Sequence, residues 1–191
     1  MTRLPPLTID ELPDDQLAAV QRAEELMGFV SNDTLTMARN PALMDAFAGL
    51  VGAVYAPGAI SSGMKRLLGL MTSSAAGCTY CVGHTAFASE RQGIDRDKLQ
   101  AIWEFESSEL FSSAERAALR VALHAGQSPN GVTDKMFAEL GNYFDEDAQL
   151  EIVSVIALFG FLNRWNSTLA TDLESLPAAT LQTVGHGAAS G

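Results

Sequence analysis

The stretch Ser73–Phe87, SSAAGCTYCVGHTAF, holds both cysteines of the chain and a histidine three residues after the second. Four small residues lead into Gly77, which is suited to end a helix in the left-handed conformation because it has no Cβ to clash. A new helix is then expected to open at about Cys78. That places both thiols in its first turns, where unpaired N–H groups and the positive end of the helix dipole favour thiolate over thiol. Residues three apart share a helix face, so the spacing sets Cys78 beside Cys81 and Cys81 beside His84.

Outward from this junction the pattern stays helical. Asn40-Pro41 reads as an N-cap followed by proline at the first helical position, and Leu43, Phe47, Leu50, Val51 and Val54 then recur on one face. Ser112 and Glu115 have the spacing of a capping box ahead of a segment in which Leu119, Ala122 and Leu123 align. Asp145 caps a long apolar segment running towards Leu173. Further helices are predicted over 14–27, 61–76, 79–92, 95–106 and 132–141, and period-two alternation bounded by hairpin turns is missing. The fold class is all-α, a single-domain bundle of seven to nine helices over residues 1–174. The remaining SLPAATLQTVGHGAASG, residues 175–191, reads as a flexible tail.

Composition narrows the function. The chain has 191 residues, 47% of them hydrophobic, and a formal charge of −11. Its twelve basic residues form no run, so neither a nucleic acid nor an anionic membrane is an expected partner. The N-terminal MTRLPPLTIDELPDD lacks the apolar core of a signal peptide, and Ile152–Leu162 is too short to span a bilayer. A cytoplasmic location is therefore expected. In a reducing compartment two close cysteines point to catalysis or metal binding rather than a structural staple.

Three readings of the cysteines follow from the residues. A redox pair fits the spacing and the helix start. The dipole then favours Cys78 as the nucleophile, the histidine favours Cys81, and spacing alone leaves that choice open. A zinc site would have Cys78, Cys81 and His84 as only three ligands, with His124 needed as the fourth, so no metal is expected. A buried structural pair is the third reading. Gly58, Gly63, Gly69 and Gly77 form no nucleotide-binding loop, so no cofactor is expected.

The segment KRLLGLMTSSAAGCTYCVGHTAFASERQGI resembles the active-site helix pair of the alkylhydroperoxidase D-like proteins of the carboxymuconolactone decarboxylase superfamily. ARNPALMDAFAGL, FSSAERAALRVAL and LFGFLNRWNSTLA are similar to the helices around it, so the resemblance covers about 35–173. It implies an antioxidant peroxidase or dithiol oxidoreductase, a homo-oligomer (trimer or hexamer), and an external dithiol or thioredoxin-like protein as reductant of the pair. It also implies that Cys81 attacks a small hydroperoxide, that Cys78 resolves the product and that His84 relays protons. Thr85 stands where some members place the relay histidine, and Arg66 stands where the family has a glutamate. An arginine cannot accept a proton, although it can stabilise a thiolate. Arg66, Tyr80 and Asn163 are the candidate pocket residues. A redox-sensing or structural oligomer and a carboxymuconolactone-type decarboxylase are the competing functions.

Overall fold

A computed structural model describes residues 2–183. Among them are ten α-helices and no strand: α1 (Asp14–Met27), α2 (Asn32–Met37), α3 (Pro41–Tyr55), α4 (Ser62–Ala75), α5 (Thr79–Arg91), α6 (Arg96–Gln100), α7 (Ser113–Gly126), α8 (Asp134–Leu140), α9 (Glu146–Leu169) and α10 (Ser175–Thr183). The all-α class is as expected, with more helices than the seven to nine read from the pattern. One of the additions, α2, is six residues long, too short to display a helical period. The region 95–106 divides into α6 and a 3-10 turn.

The other addition corrects the boundary of the tail. Residues 175–183 form α10, which packs against α5. Its low apolar periodicity hid it, because its seat depends on a glycine of the facing helix. A Cβ at Gly83 would lie 3.0 Å from the Leu173 side chain and 3.3 Å from the Pro177 carbonyl oxygen. The rest of the expected tail, 184–191, lies outside the described residues.

Helix α4 is the axis of the bundle. Every residue from Leu67 to Ser73 is buried, so its apolar surface runs all round, as befits a helix enclosed by others. Helices α5, α7 and α9 sheathe it. Close approach is possible where side chains are absent: a Cβ at Gly126 would come within 2.7 Å of the Thr72 carbonyl oxygen. Leu68, Leu70, Met71, Leu119, Ile152 and Val155 fill the main core. A second cluster around Val20, Leu35, Met37 and Met44 attaches the N-terminal helices.

The caps were legible. Asn40 Oδ1 accepts from Leu43 N, Asp145 Oδ1 accepts from Ala148 N, and Ser112 and Glu115 form the capping box. One buried charge also serves a helix end. Lys65 Nζ, 2% exposed as a residue, donates to the carbonyl oxygens of Val54 and Ala56 at the end of α3 and pairs with Glu151 at 3.1 Å. No described helix is long and apolar enough to cross a membrane.

The core is dense enough that one methyl group registers. At Gly69 an added Cβ would lie 2.4 Å from the ring of buried Phe159. Gly69→Ala is therefore expected to destabilise the fold by about 1–3 kcal/mol in denaturant unfolding, despite alanine's better helix propensity.

Candidate active site around the cysteine pair

The junction between α4 and α5 builds the site from backbone geometry. Gly77 has φ +68°. Its N–H donates to Ser74 O, and Cys78 N–H donates to Ser73 O, each at 3.1 Å. This is a Schellman turn that satisfies the last carbonyls of α4. Cys78 is at the same time the N-cap of α5, and its Sγ accepts from Cys81 N–H at 3.5 Å. Sulfur thus takes the place that a serine or aspartate oxygen usually fills.

Both thiols are free and buried. The Cys78 pKa is lowered to about 7. Hydrogen bonding from the Cys81 thiol does most of this, burial opposes it, and the Cys81 N–H and the Ser167 side chain add to it. Cys81 moves the other way. Its proton is held by Cys78, and burial and the charge of Cys78 raise it further. Asn166 Nδ2 reaches Cys81 Sγ at 3.6 Å and Asp33 Oδ2 at 3.3 Å.

Beside the pair stands a polar cluster centred on Glu174, the residue just before α10. Its Oε2 is 2.6 Å from His84 Nε2. Its Oε1 accepts from Tyr80 Oη at 2.8 Å and from Asn32 N–H at 2.6 Å. Burial works to raise the Glu174 pKa, but the hydrogen bond and charge of His84 together with backbone N–H donors, Asn32 among them, outweigh it and hold the carboxyl below its ordinary range. Tyr80 is pushed far above the usual phenol range, first by burial and then by the charges of Asp33 and Glu174, so it remains a donor. The Tyr80 ring stacks on the His84 ring at 4.3 Å, and Phe29 meets His84 edge-on at 5.3 Å.

The structure therefore gathers Cys78, Cys81, Tyr80 and His84 along one end of α5. Arg66 is not brought into this group. Its guanidinium lies 4.3 Å over the Tyr55 ring and, with the Gln92 amide turned to present its oxygen, donates to that side chain, at the far end of the α4–α5 pair. Asn163 lies on α9, where its Nδ2 donates to Thr72 O at 3.4 Å. His124 sits against Gly131, its ring Nδ1 within 3.2 Å of where a Cβ there would be. The groups that sequence reading missed are Asp33, Asn166, Ser167 and Glu174. Asn166 follows Asn163 by one helical turn, a spacing that could have drawn it in. Asp33 and Glu174 carry no local signal, since their nearness to α5 arises only from tertiary packing.

The chain is similar to known proteins in sequence and in fold. The carboxymuconolactone decarboxylase family pattern matches residues 41–124. The debrominase Bmp8 superposes with a TM-score of 0.89 at 39% identity, covering 97% of this chain and 99% of that one. A cysteine-to-alanine variant of Bmp8 in complex with 2,3,4-tribromopyrrole gives 0.90 at 36% identity, covering 97% and 98%. An alkylhydroperoxidase AhpD core, a peroxidase-related protein from Ralstonia eutropha JMP134, shares the fold with a TM-score of 0.79 at 24% identity, covering 92% and 94%. The uncharacterized protein YnjA of Escherichia coli (strain K12) is 35% identical over 100 residues, which is 52% of this chain and 54% of that protein, so the match spans about half its length. Residues 41–124 thus carry the carboxymuconolactone decarboxylase family pattern, and the chain has the alkylhydroperoxidase D-like fold.

The thiol pair makes a direct pH prediction. A lowered pKa means that the thiolate is present above it and is lost as the pH falls through it. Thiolate absorbance of the reduced protein should show a first ionisation at about 7, absent from Cys78→Ser. Cys81→Ala, which removes the donor, should move it up towards the ordinary thiol value of about 8.5.

Proposed function

We propose that the protein is a thiol-dependent oxidoreductase that reduces a small electrophilic substrate by two electrons and stores the oxidation as a Cys78–Cys81 disulfide. The observation that carries this reading is the arrangement of the pair: Cys78 is the buried N-cap of α5 and its Sγ accepts from Cys81 N–H, which favours a thiolate at Cys78 over one at Cys81. The resemblance implies attack by Cys81. The electrostatics support the reverse, with Cys78 attacking and Cys81 resolving.

With a hydroperoxide, the Cys78 thiolate takes the terminal oxygen, the O–O bond breaks, and the leaving alkoxide needs one proton. His84, held by Glu174, and Tyr80 are the nearby donors. Cys81 then attacks the sulfenic acid, forming the disulfide and releasing water. An external dithiol or thioredoxin-like protein restores the thiols. Glu174 takes the place of the acid that position 66 lacks. It touches His84 rather than the reacting sulfur, which makes it a positioning residue.

A second substrate class is favoured by the full-length likeness to Bmp8. In reductive dehalogenation the thiolate would take bromine from an activated carbon, and the carbon would take a proton. Cys81 would then displace bromide from sulfur to close the same disulfide. One thiolate, one proton donor and one resolving thiol serve both reactions. The family likeness also supports a homo-oligomer. Leu50 on α3 and Leu150, Val153 and Phe161 on α9 leave apolar side chains exposed for such a contact.

A single-turnover titration tests the function. One equivalent of cumene hydroperoxide or a bromopyrrole added to reduced protein should consume two thiols per chain. Cys81→Ser should stop at an oxidised Cys78, and Cys78→Ser should be inert. Thiol loss no faster than that of a free thiol of matched pKa would reject both substrates. Glu174→Gln should slow turnover by about 100-fold, within the usual range for proton transfer, and flatten the pH profile. A purely structural role would leave the profile's shape unchanged.

A further inference from the structure

The resolving half of the reaction makes a demand that the Glu174 group does not meet. In the resting pair the proton of Cys81 is held by Cys78. Once Cys78 is oxidised, that acceptor and its charge are gone. Cys81 must then carry the negative charge itself, in a buried position where water does not solvate it.

One side chain is placed to take that charge. Asn166 lies in the last turn of α9 and is 2% exposed. Its backbone carbonyl accepts from the N–H groups of Ala170 and Thr171, which close the helix and fix the residue in place. Its Nδ2 lies 3.6 Å from Cys81 Sγ and 3.3 Å from Asp33 Oδ2, whereas its Oδ1 meets no donor among the described residues. A buried amide oxygen left unpaired costs stability, so packing alone does not favour this orientation. Asp33 imposes it, because a carboxylate can only accept. The acid is itself held at the start of α2: its Oδ1 accepts from Thr34 N–H at 2.8 Å, and its own N–H donates to Tyr80 Oη at 3.3 Å. Turning the Asn166 amide over would set its oxygen against Asp33 Oδ2.

We propose that Asn166 is a catalytic residue of the resolving step, its Nδ2 stabilising the Cys81 thiolate as that sulfur attacks oxidised Cys78, and that Asp33 is the positioning residue that aims the amide. The assignment rests on the reading that Cys78 attacks and Cys81 resolves. With a sulfenic acid at Cys78, the proton leaving Cys81 goes to the departing hydroxide, and water is released as the disulfide closes. The Cys78 bond, burial and the charges of Cys78 and Asp33 raise the Cys81 pKa, while the Asn166 bond lowers it. The site is thereby divided by half-reaction. The Glu174 group serves the first leaving group, and the ends of α9 and α2 serve the second sulfur.

Methyl methanethiosulfonate reports the two halves separately and needs neither peroxide nor halide. The Cys78 thiolate attacks its divalent sulfur, the S–S bond breaks, methanesulfinate leaves and Cys78 carries a methylthio group. Cys81 then gives up its proton and attacks the Cys78 sulfur, releasing methanethiol as the protein disulfide forms. One equivalent is added to the reduced full-length protein, and acid-quenched mass spectrometry follows adduct and disulfide over time. The Asn166→Ala and Asn166→Leu variants should form the adduct within about twofold of the wild-type rate. Both should resolve it about tenfold more slowly, the loss of one hydrogen bond to a charged group. A wild-type resolution rate in either variant, or equal slowing of both steps, would overturn the proposal.

Asp33 is tested by a double-mutant cycle on the resolution rate, which cancels the direct effect of its charge on the sulfur. In an Asp33→Ala background the amide is free to turn, so Asn166→Ala should cost less than about twofold. A full tenfold loss there would strip Asp33 of the positioning role. If the methylthio adduct resolves as expected while hydroperoxide and bromopyrrole leave the thiols intact, the assignment of Asn166 stands and the oxidoreductase reading falls.

Discussion

The left-handed turn at Gly77 is the constraint on which fold and chemistry both hang. It lets α4 stop and α5 start with only three residues between them, so the chain folds back with no loop to spare. The same turn uses the N–H of Cys78 to close α4 and its sulfur to open α5. A side chain at position 77 would meet no neighbour, so space does not explain the glycine there; the positive φ does. The thiol thereby becomes part of a helix terminus, the place in a protein best able to stabilise a negative sulfur.

How much of this could be read from residues alone depends on how local its cause is. Caps at Asn40, Ser112 and Asp145, the end at Gly77 and the start at Cys78 are decided within four residues, and all were legible. Helix α10 was not. It is held by the flat flank that Gly83 gives to α5 and by Glu174 reaching back to Asn32, Tyr80 and His84. Those partners lie 142, 94 and 90 positions away, beyond any periodicity. Asp33 was hidden for the same reason, since it enters from a helix of six residues.

The clearest instance of this limit is the acid of the site. Position 66 holds arginine, and on sequence alone the proton relay lacks its carboxylate. The structure contains a carboxylate beside His84, contributed by the other end of the chain. Arg66 instead has a packing role, stacked on Tyr55. What matters for a histidine is an anion at hydrogen-bond distance, whichever helix brings it. At 2.6 Å, and largely shielded from water, Glu174 meets that condition. Its second oxygen orders Tyr80 and the start of α2, so one carboxylate ties the site to the closing of the fold.

The asymmetry between the thiols then follows from position more than from the histidine. Cys78 receives the Cys81 N–H, the Cys81 thiol and the Ser167 side chain, whereas Cys81 gives its proton away and receives only a long contact from Asn166. The shared proton, burial and the charge of Cys78 oppose ionisation of Cys81, and Asp33 adds to this, so the pair favours a single negative charge. Under the proposed reaction, a pair sharing one proton has its nucleophile and its resolving thiol assigned before substrate arrives. In that reaction the group that first leaves needs one proton, which His84 and Tyr80, ordered by Glu174, are placed to supply. Nothing in that arrangement distinguishes oxygen from bromine as the atom attacked. Discrimination between substrates must therefore come from the shape and polarity of the route to Cys78.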